Sequence, residues 1–314
     1  MVSKAEPYPS NVLEGEHAQR EYQGDDLLQI AMPLGGIGAG SICLNGQGGL
    51  QDFSIRNRPS MTAQPDSHGP AADAAFALLH IQGLGITRLV EGPMPAGKIY
   101  DQGLKAQGYR GAGHEGLPRF RKCTFTGEYP FGFVTLSDAD VPLEVHLTGF
   151  NPFIPLDDVN SGLPCAILEY TLSNRSTQMV EYEFSYHLSH LAPGKDAWGA
   201  ATSRNTPLPG LGVYFYNEEH PQLESFGSAA LGVIGHAPLI KAMWYRGGWF
   251  DSISALWREV SDGKFKPNGG ENAAASQGRN GGSILLRGSL AAGESVTYPI
   301  VIAWHFPNVY ESVG

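Results

Sequence analysis

Leu143, Val145 and Leu147 alternate with Glu144, His146 and Thr148, and Val180, Tyr182, Phe184, Tyr186 and Leu188 alternate with Glu181, Glu183, Ser185, His187 and Ser189. A period of two puts each set on one side of a pleated strand, so both segments predict half-buried antiparallel strands with one wet face. Between them, residues 166–172 read as a strand ending in Ser173-Asn174-Arg175-Ser176, a turn cluster expected to join two strands as a hairpin. Further strands are predicted at 212–216, 229–234, 240–245, 283–290 and 296–304. One segment keeps the helical period: Phe250, Ile253, Trp257 and Val260 share a face, with Asp251 and Ser252 placed to cap its start and Gly263 to end it. That helix is expected to bury two aromatics. Strand after strand with few helices predicts an all-β chain, a large antiparallel β-sandwich with long loops and a few short helices.

The first 26 residues are polar and without period, and predict an irregular arm. Met32-Pro33-Leu34-Gly35-Gly36-Ile37-Gly38-Ala39-Gly40-Ser41 follows, running through Ile42 and Leu44 to Asn45-Gly46. The spacing is G-x-G-x-G, with Ser41 where a dinucleotide fingerprint needs its third glycine. Such a loop must open a helix, whereas Asn45-Gly46 is a hairpin turn pair. The segment therefore predicts strand, glycine-lined turn and strand, with Leu34, Ile37 and Ile42 as core anchors. Residues 71–79 are an apolar run too short to classify, and 91–119 and 261–282 lack apolar period and predict long loops.

Composition fits this picture: 41 glycines and 22 prolines in 314 residues call for many turns between short elements. A net charge of −10 disfavours nucleic acid as a partner. No stretch approaches the roughly 20 apolar residues of a membrane span, and the N-terminus lacks a signal-peptide apolar region, so the expected location is cytoplasmic. Cys43, Cys123 and Cys165 contain no C-x-x-C pair and read as small buried apolar residues.

Candidate chemistry is sparse. There is no G-x-S-x-G elbow and no H-E-x-x-H sequence. His187 and His190 form H-x-x-H, but strand residues three apart face opposite sides, so they read as a solvated pair and not a metal site. Asp157-Asp158-Val159-Asn160-Ser161-Gly162 holds oxygens suited to calcium, yet the same residues make an ordinary turn, which is the expectation. Glu218-Glu219 and the Asp138, Asp140 pair are expected in loops, with nothing to mark a general acid and its partner. No catalytic, cofactor or metal residue is assigned. Trp244, Tyr245, Trp249, Phe250 and Trp257 crowd into fourteen residues. Of these, Trp244, Trp249, Phe250 and Trp257 are the candidate contacts to a glycan or a neighbouring domain, although core packing explains the cluster as well.

Pro33-Leu34-Gly35-Gly36-Ile37-Gly38-Ala39-Gly40-Ser41-Ile42, then Gly149-Phe150-Asn151-Pro152-Phe153-Ile154-Pro155-Leu156-Asp157-Asp158 leading to Ser161-Gly162-Leu163-Pro164, and Trp304-His305-Phe306-Pro307-Asn308 occur in that order. Together they resemble the N-terminal β-sandwich domain of glycoside hydrolase family 116, the bile acid-type β-glucosidases that include the non-lysosomal glucosylceramidase. The resemblance spans residues 27–308 and implies a supersandwich-like fold, with 1–26 an arm before it and 309–314 the start of a linker. It further implies a C-terminal (α/α)6 barrel, absent from this chain, carrying a glutamate nucleophile and an aspartate acid/base about 5 Å apart. Neither carboxylate is placed on any residue here.

The implied function is that of a non-catalytic domain bracing the barrel and lending loops, 91–119 among them, to its cleft. The alternative is a stand-alone carbohydrate-binding sandwich, and exposure of Trp249 and Trp257 discriminates between the two. The implied partners are the barrel and a β-glycoside substrate at the intact active site, with no cofactor. Relatives act on glucosides, xylosides or N-acetylglucosaminides, and the determinants of that choice are implied to lie in the barrel.

Overall fold

The computed structural model describes residues 20–61, 72–95, 112–194, 202–246, 251–269 and 279–309. In chain order these form β1 (Glu21–Gln23), β2 (Ala31–Leu34), β3 (Ser41–Asn45), β4 (Leu50–Ser54), β5 (Ala75–Ile81) and β6 (Ile86–Leu89). Next come β7 (Lys122–Glu128), β8 (Phe131–Asp138), β9 (Val141–Phe150), the one-turn helix α1 (Asp158–Ser161) and β10 (Cys165–Asn174). Then follow β11 (Val180–Ser189), β12 (Ser203–Leu208), β13 (Gly212–Asn217), β14 (Ser228–Val233) and β15 (Leu239–Lys241). Helix α2 (Ser252–Ser261), β16 (Gly281–Leu290) and β17 (Ser295–His305) complete the set. No described helix is long and apolar enough to cross a membrane.

Nine strands make one antiparallel sheet in the order β1-β7-β8-β9-β10-β17-β14-β13-β12. Facing it are a five-stranded sheet, β15-β16-β11-β5-β6, and a three-stranded one, β2-β3-β4. The main core lies between: Leu34, Ile42 and Leu44 of the small sheet and Tyr182, Phe184 and Tyr186 of the five-stranded sheet bury with Val134, Leu147, Leu168 and Ile302 of the nine-stranded one. A chain that packs two inner faces this way is a β-sandwich, as the alternation predicts.

A third layer changes the reading of β11. Its second face is not wet: Glu183, Ser185, His187 and Ser189 are buried. Helix α2 lies over that side of the five-stranded sheet, where Ile253, Leu256 and Val260 form a second core with Phe76, Leu78, Trp244 and Leu285. The helix starts as its sequence predicts, the Asp251 carboxylate accepting from the backbone N–H groups of Ile253 and Ser254, and ends at Gly263 with φ +64°. His187 and His190 are accordingly not a solvated pair. Both are buried, His187 against Phe76 beneath the α2 layer and His190 edge-on to Phe215 with Nε2 at the Arg204 carbonyl, coverings that period alone could not reveal.

The segment 173–179 is also not a hairpin. β10 pairs with β9 and β17, whereas β11 pairs with β16 and β5, so the turn carries the chain from one sheet to the other. Asn174 secures the crossing, its side-chain N–H donating to the carbonyls of Gln178 and Leu290 while its Oδ1 accepts from the backbone N–H of Ser176. Asp138 is likewise not a loop residue. It ends β8, its carboxylate buried between Arg88 and Arg121. The glycine-rich segment does form strand, turn and strand, but Ile37, at the turn's tip, is exposed and anchors nothing in the core. Cys123 is buried, Cys43 and Cys165 half-buried, and all three are free thiols.

Candidate functional site

Strand register gathers the family-like motifs at one end of the nine-stranded sheet. Phe131 pairs with Phe150, Ile167 with Phe150, Cys165 with Ala303 and Ser228 with His305. These pairings bring together the start of β8, the loop 151–164 between β9 and β10, and the exit of β17. The turn 35–40 joins them: the Ile37 backbone N–H donates to the Ser161 carbonyl at 2.7 Å.

Loop 151–164 is inside out relative to an ordinary loop. Several of its polar groups bond within the loop: the Ser161 hydroxyl accepts from the Ile154 N–H and donates to the Ile154 carbonyl, and Asp157 accepts from the backbone and side-chain N–H groups of Asn160. The Asp157 carboxylate is engaged in capping α1, so these residues do form a turn. The apolar side chains point outward instead. Val159 is 76% exposed and Leu156 completely so, the latter with φ +68°, where a β-carbon crowds the backbone. Tyr129, Phe131, Phe153 and Ile37 extend the same surface, with the Tyr129 and Phe153 rings 6.0 Å apart.

Gly36 explains why the turn and the loop sit so close. A β-carbon there would stand 2.4 Å from the Gly162 carbonyl carbon, inside any real contact distance. The exit of β17 is tied to the same region. The Trp304 indole donates to the Ala39 carbonyl, and the Asn57 amide donates to the carbonyls of Phe306 and Asn308.

A second cluster lies where β6 leaves the sheet. Glu91 and His114 are buried together beside the largely covered side chain of Arg119, with Arg119 Nη1 donating to Glu91 Oε2 at 2.5 Å and His114 Nε2 lying 3.4 Å from Oε1. Burial alone would raise the Glu91 pKa, but the Arg119 guanidinium, helped by His114, outweighs it and holds the group down to about 2. Gly49 makes the room, since a β-carbon there would come within 2.8 Å of the Glu91 carboxylate. The adjoining cavity, about 50 Å³ and lined by Gln47, Gln51, Asp73 and Glu115, has room for no more than a few water molecules. Ligand pockets run to roughly 300–1,000 Å³. The larger cleft, about 590 Å³ between Gln23, Asp25, Met94 and Arg121, has no aromatic ring among the described residues of its walls.

The aromatic candidates separate. Trp244 lies inside the second core, its indole donating to Ser283 Oγ at 2.8 Å, and has no face to offer a partner. Trp257 is half-buried on α2 against the same core. Trp249 and Phe250 lie outside the described residues. Sequence reasoning did not single out Tyr129, Phe131, Leu156 or Val159 as surface. The available signal was an apolar run, Phe153-Ile154-Pro155-Leu156, with no period that a core-facing strand or helix could use.

Residues 31–314 match the family model described as beta-glucosidase 2, glycosyl-hydrolase family 116 N-term. The chain belongs to this family. No curated protein sequence matches it. Among solved structures it is similar to a putative aldose 1-epimerase from Escherichia coli K12, at 9% identity and a TM-score of 0.41, over 91% of this chain and 100% of that one. It is also similar to a galactose mutarotase-like protein from Clostridium acetobutylicum, at 7% identity and a TM-score of 0.32, over 92% and 99%. At those scores neither bears on any residue of this family 116 N-terminal domain.

Proposed function

We propose that this chain is the non-catalytic N-terminal domain of a retaining β-glucosidase or glucosylceramidase-type hydrolase, and that it braces the C-terminal catalytic barrel. Family membership supports the parent activity. The observation that carries the non-catalytic role is the state of the buried ionisable groups. Glu91 is held ionised by Arg119, and burial takes His187 down to about 3 and His190 to about 4. A general acid or base needs a pKa near the working pH, whereas all three of these are held below it, and the cavity beside Glu91, about 50 Å³, is too small for a sugar. The exposed rings of Tyr129 and Phe153 favour the second reading, an independent sugar-binding module, but at 48° to each other they form no flat platform.

The test is turnover of an aryl β-glucoside. The purified chain is expected to be inert and the parent protein active. Turnover by this chain above a buffer blank, abolished by a covalent glucosidase inactivator, would overturn the proposal.

A further inference from the structure

We infer that the end of the sandwich carrying loop 151–164, turn 35–40 and the β8 entry is the face on which the catalytic half of the parent hydrolase docks. The inference rests on the accessory-domain reading above and adds the surface through which it operates.

Three observations converge on this end. The first is contiguity: Tyr129 meets Phe153, Phe131 meets Phe150 with centroids 5.9 Å apart, the Asn151 N–H donates to the Pro130 carbonyl, and Ser161 accepts from Ile37. Exposed apolar residues are ordinary when scattered, whereas a joined surface marks an interaction site. The second is Leu156. Its left-handed backbone closes the turn in which the Asp157 N–H donates to the Ile154 carbonyl, and that turn projects an apolar side chain wholly into solvent, uncovered by any of the described residues. The third is continuity of the chain. β17 delivers the polypeptide to this end, where Asn308 donates to the carbonyls of Pro221 and Leu223 in the β13–β14 connection, so whatever follows Asn308 starts at the same end of the sandwich as the patch. The occupant is therefore the C-terminal half of the same protein, presenting a largely apolar and uncharged counter-face. The other end of the sandwich also exposes apolar residues, Met179 in the 173–179 crossing and Ile234 after β14, and supplies a matched control.

The experiment uses the full-length parent. Leu156→Asp with Val159→Asp is compared with Met179→Asp with Ile234→Asp. All four side chains are more than half exposed, so neither pair burdens the domain's own core. Aspartate also tolerates a left-handed backbone better than leucine does, so a role confined to this domain predicts no loss from the first pair. Readouts are calorimetric melting, limited proteolysis between the halves and the radius of gyration in solution.

The expected result is that the wild type and the 179/234 variant melt as one unit. The 156/159 variant should split into two transitions, be cleaved between the halves and show an expanded radius. If the 156/159 variant stays as coupled and compact as the control, the choice of face is overturned while the bracing role stands. If the wild type itself melts as two independent halves held apart, the bracing role is overturned and the face with it.

Discussion

The indole Nε1 of Trp304, near the end of β17, donates to the carbonyl oxygen of Ala39 at 2.7 Å, across 265 positions of sequence. The donor is buried and its bond closes the glycine turn onto the strand that ends the sandwich. Trp304→Phe keeps a ring and removes the donor, leaving the Ala39 carbonyl without this partner. A loss of about 2 kcal/mol is expected, combining the lost hydrogen bond with the reduced ring volume. Urea unfolding should show the midpoint falling with an unchanged slope.

Gly36 makes a sharper prediction about the same junction. Its missing β-carbon would meet the backbone of Gly162 and Leu163, which cannot swing aside as a side chain can. Gly36→Ala should therefore part turn 35–40 from loop 151–164 and break the bond from Ile37 N–H to the Ser161 carbonyl. Gly116 has open space around it, so Gly116→Ala should leave stability unchanged to within about 0.5 kcal/mol. Melting curves of the two variants should differ clearly, and equal melting would refute the close approach.

The Glu91 and Arg119 pair predicts non-additive mutational effects. Glu91→Gln strands a buried guanidinium and should cost about 3–5 kcal/mol. Adding Arg119→Met removes the stranded charge, so the double variant should be more stable than Glu91→Gln alone. The sign of the pH dependence follows from the depressed pKa of Glu91. Its contribution is complete above the unfolded carboxylate value near 4.5 and is lost as pH falls towards about 2. Stability measured from pH 5 to pH 2 should fall more steeply in the wild type than in the double variant.

Most of the sandwich was legible in the sequence because alternation reports one buried face directly. The alternating run at 143–148 became β9, and the strands predicted at 212–216, 229–234, 283–290 and 296–304 appeared in place, whereas the one predicted at 240–245 is a strand only over Leu239–Lys241. What escaped had physical reasons. β8 carries Phe131 and Phe133 on its outer side with Gly132 between them, so its two faces do not differ in polarity as a half-buried strand's should. β11 shows the reverse failure: Glu183, Ser185 and His187 look solvated in sequence, but Arg287 bonds Glu183, Ser283 bonds His187, His187 bonds Ser185, and all three are buried. The family motifs were legible as motifs. Their exposure was not, because apolar letters alone do not say which side of a backbone faces solvent.

His187 supplies the last prediction. It lies between Ser283 Oγ, 2.7 Å from Nδ1, and Ser185 Oγ, 2.9 Å from Nε2, with Phe76 at a centroid distance of 4.8 Å. Ser283 Oγ also accepts from the Trp244 indole, so the chain of donors can run from Trp244 through Ser283 and a neutral His187 to Ser185. A second ring proton would make both nitrogens donors and deprive Ser283 of its acceptor. Burial, with Lys241 and His114 nearby, takes the His187 pKa down to about 3, whereas an unfolded histidine titrates near 6.5. Because the folded value is the lower one, stability is complete above pH 6.5 and is lost as pH falls through the window below it. Each such proton gives a slope of at most about 1.4 kcal/mol per pH unit. His190, taken down to about 4, adds a second. His80, also lowered by burial, contributes to both proteins alike, so between pH 6 and 5 the wild type should lose stability more steeply than His187→Gln, whose amide can serve both serines without titrating. Equal slopes in urea unfolding across that interval would show that His187 is already charged in the folded chain.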